Sequence, residues 1–116
     1  MQDLIKAMRA LSDETRLRII NLLLQRECCV CEIMQAMDIS QSRASRNLGI
    51  LQGAGFLKTQ RYGAFIIYSL DWNTTNHYAA SLAKLLKDSP VSNEVLTQDK
   101  ERLIHAVRIG PGCRKK

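Results

Sequence analysis

The apolar residues of this chain keep a helical spacing as far as Leu51 and change to an alternating one just past Gly53 and Gly55. A switch of period from about 3.6 to two marks the end of a helical run and the start of a hairpin. It also limits the architecture. At 116 residues the chain has one domain's length, so several short helices and a single hairpin must share one core. The expected fold class is mainly α with a small β-hairpin.

The helical part divides by its stop and start signals. Leu4, Ile5, Met8 and Leu11 recur at helical spacing and predict a short amphipathic helix. Ser12-Asp13-Glu14 then offers a capping hydroxyl followed by two acids, where a helix N-terminus favours them. The helix it opens runs over residues 13–25, with Leu17, Ile20, Leu23 and Leu24 as its stripe, widened by Ile19 and Leu22. A third helix covers about residues 30–37, with Ile33, Met34 and Met37 inward. Asp38-Ile39-Ser40 is a three-residue turn, and Ser40 can cap a fourth helix over about residues 41–52. Ala44, Leu48 and Leu51 form the core face of that helix; Gln41, Ser42, Ser45 and Arg46 form the opposite one.

Residues 56–61 and 65–70 are the two strands, joined at Tyr62-Gly63-Ala64, so the hairpin tip is basic and aromatic. A further helix is expected from Trp72 to about Lys87, ended by Ser89-Pro90. Val95, Leu96, Leu103, Ile104 and Val107 suggest one more amphipathic segment, interrupted over residues 97–102. Gly110-Pro111-Gly112 opens a loose basic tail that holds Cys113. Residues 1–90 therefore read as one folded unit and residues 91–116 as a C-terminal extension.

Charge is uneven. Residues 39–70 contain Arg43, Arg46, Lys58 and Arg61 and no acid, whereas the whole chain has 17 Lys and Arg against 11 Asp and Glu. An acid-free basic window suits a polyanion, because neutralised phosphates release condensed counterions. A polar helix face by itself is also what any solvated helix presents. Two short helices joined by a three-residue turn, followed by a basic-tipped hairpin, describe a winged helix-turn-helix. In that arrangement Ser40, Gln41, Ser42, Arg43, Ser45 and Arg46 stand at the start of a groove-reading helix. Lys58, Arg61 and Tyr62 stand on the wing, against backbone or minor groove. One such helix buries too little surface for useful specificity, so a homodimer is expected, with the first helix and the 72–87 helix as its interface.

Three of the four cysteines, Cys28, Cys29 and Cys31, fall within four residues. Buried-hydrophobe use explains one cysteine well and such a cluster badly. The clustered thiols point to soft-ion binding or redox chemistry.

Three segments now carry a family resemblance. Residues 10–19, Ala-Leu-Ser-Asp-Glu-Thr-Arg-Leu-Arg-Ile, resemble the opening of the ArsR/SmtB family of metal-responsive repressors. Residues 27–33, Glu-Cys-Cys-Val-Cys-Glu-Ile, resemble its cysteine box, and residues 40–48, Ser-Gln-Ser-Arg-Ala-Ser-Arg-Asn-Leu, its recognition helix. The resemblance covers about residues 4–87. It implies a homodimeric winged helix-turn-helix repressor that leaves its operator DNA on binding a thiophilic ion, with dimerisation through the first and last helices. Cys29 and Cys31 match the cysteine pair of the box. Met34 stands where arsenic-sensing members often carry a third cysteine, and Cys28 stands where leucine is usual. A three-thiolate site for arsenite or antimonite therefore needs Cys28, which proximity favours, Cys113, or a partner-subunit thiol. Cadmium, lead or thiol oxidation are alternative signals. His77 and His105 stand alone, which argues against the family's last-helix zinc site, and Asn47 replaces a common histidine. On this reading, gathering the three thiolates requires an unwound first turn in the third helix.

An enzyme reading finds no support. The cysteine–arginine loop of a phosphatase-like arsenate reductase is absent, and the Cys28–Cys31 frame lies in no βαβ pattern. No apolar run approaches the ~18 residues of a membrane span, and no basic region followed by an apolar one opens the chain. The expected location is cytoplasmic.

Overall fold

The computed structural model describes residues 1–109; the expected loose tail and Cys113 lie outside the described residues. The order is α1 (Gln2–Leu11), α2 (Glu14–Gln25), β1 (Cys28–Cys29), α3 (Val30–Met37), α4 (Gln41–Gly53), β2 (Leu57–Tyr62), β3 (Phe65–Leu70), α5 (His77–Asp88) and α6 (Glu94–His105). The strands form one antiparallel sheet in the order β1-β3-β2. No helix among the described residues is long and apolar enough to cross a membrane.

Local chemistry sets the boundaries, in two places differently from expectation. The cap of α2 is the Asp13 carboxylate, which accepts from the Arg16 backbone N–H at 3.0 Å. The Ser12 hydroxyl instead turns back to donate to the Met8 carbonyl at 2.8 Å, so it closes α1. The last expected helix begins at His77 rather than Trp72 because Asn76 is its cap. Asn76 Oδ1 accepts from the Tyr78 and Ala79 N–H groups, while Nδ2 donates to Ala54 O at 2.9 Å and Asp3 O at 3.1 Å. One side chain thus ties the start of α5 to the end of α4 and to α1. Space there is tight: Gly55 has φ +93°, and a Cβ on it would lie 2.8 Å from Thr74 Oγ1. Only glycine meets both demands.

Ile19, Ile20 and Leu22 from α2, Ile33 from α3, Leu48 and Leu51 from α4, and Phe56 form the centre of the core. Each such side chain contributes about 1.5–3 kcal/mol by burial. α6 joins them through Leu103 and lies on α2 and α3. The expected interruption over residues 97–102 does not occur. Asp99, which breaks the apolar pattern, faces inward with no exposure and takes both nitrogens of a fork from Arg18, Nε and Nη2, each at 2.8 Å. A paired carboxylate occupies a core position there, and the helix runs straight through.

Candidate nucleic-acid interface and thiol site

α3, the turn at residues 38–40 and α4 form the helix-turn-helix. Asp38 takes a left-handed conformation (φ 55°), which ends α3 and lets the Ile39 N–H bond the Met34 carbonyl at 3.3 Å. Ser40 then caps α4 by accepting from the Arg43 N–H at 3.2 Å. Ser40, Gln41, Ser42, Arg43, Ser45 and Arg46 are all exposed, while Ala44, Asn47, Leu48 and Leu51 face the core. On the wing, Lys58, Arg61 and Tyr62 are exposed on β2, and the turn closes at Gly63 with φ 56°. The two arginines of α4 differ in use. Arg43 is drawn back along α2, its Nη2 donating to Thr15 Oγ1 at 2.7 Å; the Arg46 side chain makes no hydrogen bond or ion pair among the described residues.

Asn47 lies beneath this surface, 5% exposed. Its side chain is turned toward α2. Its Oδ1 accepts from Arg16 Nη1 at 3.0 Å and its Nδ2 donates to the Arg43 carbonyl at 2.9 Å. Arg16 in turn donates through Nε to Ala10 O at 2.6 Å and through Nη2 to Arg9 O at 3.4 Å. The last carbonyls of α1 and the middle of α4 are therefore held by one guanidinium from α2. The sequence pattern gives Arg16 no role, although its place three residues beyond a helix cap, next to the end of α1, is visible there.

The three cysteines of the box are not gathered at one point. β1 pairs with β3 in the register Cys28↔Tyr68 and Cys29↔Ile67, and successive strand residues face opposite ways. Cys28 accordingly joins the main core, while Cys29 and Cys31 pack with Ile67 in a second, smaller cluster. The Cys29 and Cys31 sulfurs lie 2.7 Å apart. This pair meets with the first turn of α3 intact. Cys29 is the residue before the helix, in extended conformation (φ −87°, ψ 169°), and only Cys31 is helical. Burial pushes the Cys28 thiol up to about 12, only partly countered by the charge of Arg26, so it is a protonated core residue at neutral pH. Met34 is half-buried against the main core, and His77 and His105 are exposed on different helices. Among the described residues no group of three His, Cys, Asp or Glu side chains is placed to hold a metal ion.

One turn into α3 sits a residue to which the sequence pattern assigns no role. Glu32 is 3% exposed; its Oε1 accepts from the Cys29 N–H at 2.9 Å and from Arg108 Nε at 3.1 Å, and its Oε2 from Arg26 Nη1 at 2.8 Å. Burial pushes its pKa up, but the hydrogen bonds from Cys29, Arg26 and Arg108 outweigh that and hold it below the ordinary carboxylate range. A glutamate three residues after a helix cap is a capping-box signal, obscured here because the cap is a cysteine. Further along α3, Gln35 exchanges hydrogen bonds with the Val107 backbone, and Arg102 Nη1 donates to Ala36 O at 3.0 Å. The thiol helix is thus laced along its length to α6 and to the residues that follow it. Between them, Cys31, Met34, Gln35, Asp38, Ile39, Ser40 and Ile109 line a cleft that reaches from the thiol to the cap of α4.

On the side of the molecule where α1 packs against α5, Ile5 and Met8 on α1 and Tyr78 and Leu85 on α5 remain exposed.

Residues 13–59 match the family described as bacterial regulatory protein, arsR family. The chain is 34% identical over 88 residues to a transcriptional repressor SmtB homolog from Synechocystis sp., an alignment covering 76% of this chain and 67% of that one. It is 36% identical over 86 residues to an arsenical resistance operon repressor from Escherichia coli, covering 73% and 70% of the two chains. Among solved structures, it resembles a homodimeric winged helix-turn-helix DNA-binding domain from Mycobacterium bovis, with TM-score 0.61, 27% identity, and 75% and 80% of the chains covered.

Proposed function

The chain belongs to the arsR family of bacterial regulatory proteins, and on that premise we propose that it is a cytoplasmic, homodimeric repressor released from its operator when Cys29 and Cys31 capture arsenite or antimonite. The family is one of DNA-binding regulators, and the chain is not an enzyme. The observation that carries the reading is the 2.7 Å contact between the Cys29 and Cys31 sulfurs at the start of α3, the helix that precedes the recognition helix. Arsenite exchanges three hydroxides for three thiolates, releasing three waters, so a third sulfur is required. Cys28 could serve only by leaving the core and shedding a proton held at a pKa of about 12. We assign the third thiolate to Cys113, the fourth cysteine of the chain.

On this reading Ser40, Gln41, Ser42, Ser45 and Arg46 enter the major groove, and Lys58, Arg61 and Tyr62 hold the backbone beside it. Exposed Ile5, Met8, Tyr78 and Leu85 form the dimer seam. An ion held in the Cys31 cleft presses on Asp38, Ile39 and Ser40, the residues that set the start of α4. Taking occupancy from 99% to 1% needs about 5.5 kcal/mol of differential binding, within reach of two sites per dimer. The test is arsenite titration of the operator complex by fluorescence anisotropy, with X-ray absorption counting sulfur neighbours. Three sulfurs in the wild type and two in Cys113→Ser are expected; two or fewer in the wild type refutes the site.

The same sulfur contact supports a second reading. A peroxide would oxidise Cys29 to the sulfenic acid, and Cys31 would displace water to form a disulfide. Cadmium or lead would use the thiolates as arsenite does. Release by peroxide with loss of two hydrogens by mass, in protein indifferent to arsenite, would favour oxidation.

A further inference from the structure

We infer that Arg16 and Asn47 are positioning residues that set the distance between the two recognition helices, and hence the half-site spacing the dimer accepts. This rests on the dimer proposed above. Recognition helices of a symmetric dimer must meet successive major grooves about one helical turn apart, so half-site spacing is a geometric property of the protein. Two joints determine it here: the seam that α1 shares with the partner, and the angle between α1 and α4. Core packing alone leaves helix angles a scatter of about 15–20°. The second joint, however, carries a polar lock.

Arg16 donates to Ala10 O at 2.6 Å and Arg9 O at 3.4 Å, the terminal carbonyls of α1, and to Asn47 Oδ1 at 3.0 Å in the middle of α4. Asn47 passes the constraint on through its 2.9 Å bond to the Arg43 carbonyl, and Arg43 returns to α2 by its 2.7 Å bond to Thr15. These bonds join three helices, and the Arg16–Asn47 bond at their centre lies beneath the reading surface. Arg16 is 17% exposed at the side chain and Asn47 5% exposed, a setting in which planar, forked hydrogen bonds hold a definite geometry. A lysine at position 16 keeps the charge but cannot serve both helices from a rigid fork.

The test is a set of operators whose half-sites are moved apart or together by one base pair. Binding is measured for wild type, Asn47→Leu, Arg16→Lys and Asn47→Asp, with sedimentation to record the dimer and thermal unfolding to record the fold. The wild type should prefer one spacing. Asn47→Leu and Arg16→Lys should remain folded dimers, yet lose about tenfold in discrimination between spacings, the worth of one hydrogen bond to a charged group. Asn47→Asp, which keeps an oxygen toward Arg16, should retain the preference. If Asn47→Leu weakens binding equally at every spacing, the pair is merely structural and the inference falls. A wild-type monomer, or a wild type indifferent to spacing, would instead overturn the dimeric repressor reading beneath it.

Discussion

Cys29 and Cys31 bring their sulfurs to 2.7 Å because one precedes α3 and the other belongs to it. Two residues apart within a helix they would face different ways. The extended conformation of Cys29 removes that conflict, so two of the proposed ligand sulfurs already stand side by side.

Cys29→Ser and Cys31→Ser should therefore bind operator DNA as wild type does and fail to leave it on arsenite addition, measured by anisotropy of a labelled duplex. Cys28→Ser should behave oppositely. It should keep arsenite release but lose roughly 1–3 kcal/mol of stability in urea unfolding, because a hydroxyl replaces a thiol in the apolar core.

The Arg18–Asp99 pair gives a stability prediction. Asp99 has no exposure and Arg18 15% at the side chain, so little water screens them. Asp99→Ala leaves a mostly buried guanidinium without its carboxylate and should cost about 3–5 kcal/mol in chemical denaturation. Amide exchange should rise first across α6, whose seating on α2 depends on this pair.

A pH prediction follows from Glu32. Its folded pKa lies below the ordinary carboxylate range, so as pH falls the unfolded chain takes up the proton first. Its contribution is complete above the ordinary glutamate pKa and disappears as pH drops through the lower, folded value. Wild type should exceed Glu32→Gln in stability at neutral pH, and the two unfolding curves should converge on acidification.

At the DNA surface, Lys58→Ala and Arg61→Ala should each weaken all duplexes alike and lower the salt slope of log affinity by about 0.9 for every phosphate left unneutralised. Arg46→Ala should cost about 1–3 kcal/mol on the operator and relax base preference there. An Arg46 variant that loses affinity equally on random DNA would assign this residue to the backbone instead.

The helix-turn-helix and the wing were legible in the sequence because their signals are local. The Ser40 cap, the core spacing of Ala44, Leu48 and Leu51, and the change to alternation after Gly55 each depend on neighbours in the chain. The pairs that organise the site join residues far apart. Arg16 with Asn47, Arg18 with Asp99 and Glu32 with Arg108 are separated by 31, 81 and 76 positions, and no periodicity reports them. β1 is hidden in the sequence for a related reason: two residues make no pattern, and only the edge of β3 turns Cys28 and Cys29 into a strand. That short pairing sends one thiol into the core and the other toward Cys31.

Because β1 continues the sheet that carries the wing, the cysteine box is the meeting point of both arms proposed to hold the duplex. The helical arm starts at its downstream end, and the wing's inner strand is zipped to it at Cys28 and Cys29. A ligand that shifts this junction tugs on both hands at once, and a footprint should vanish as a unit, with no stage at which the flank is bare and the centre still covered.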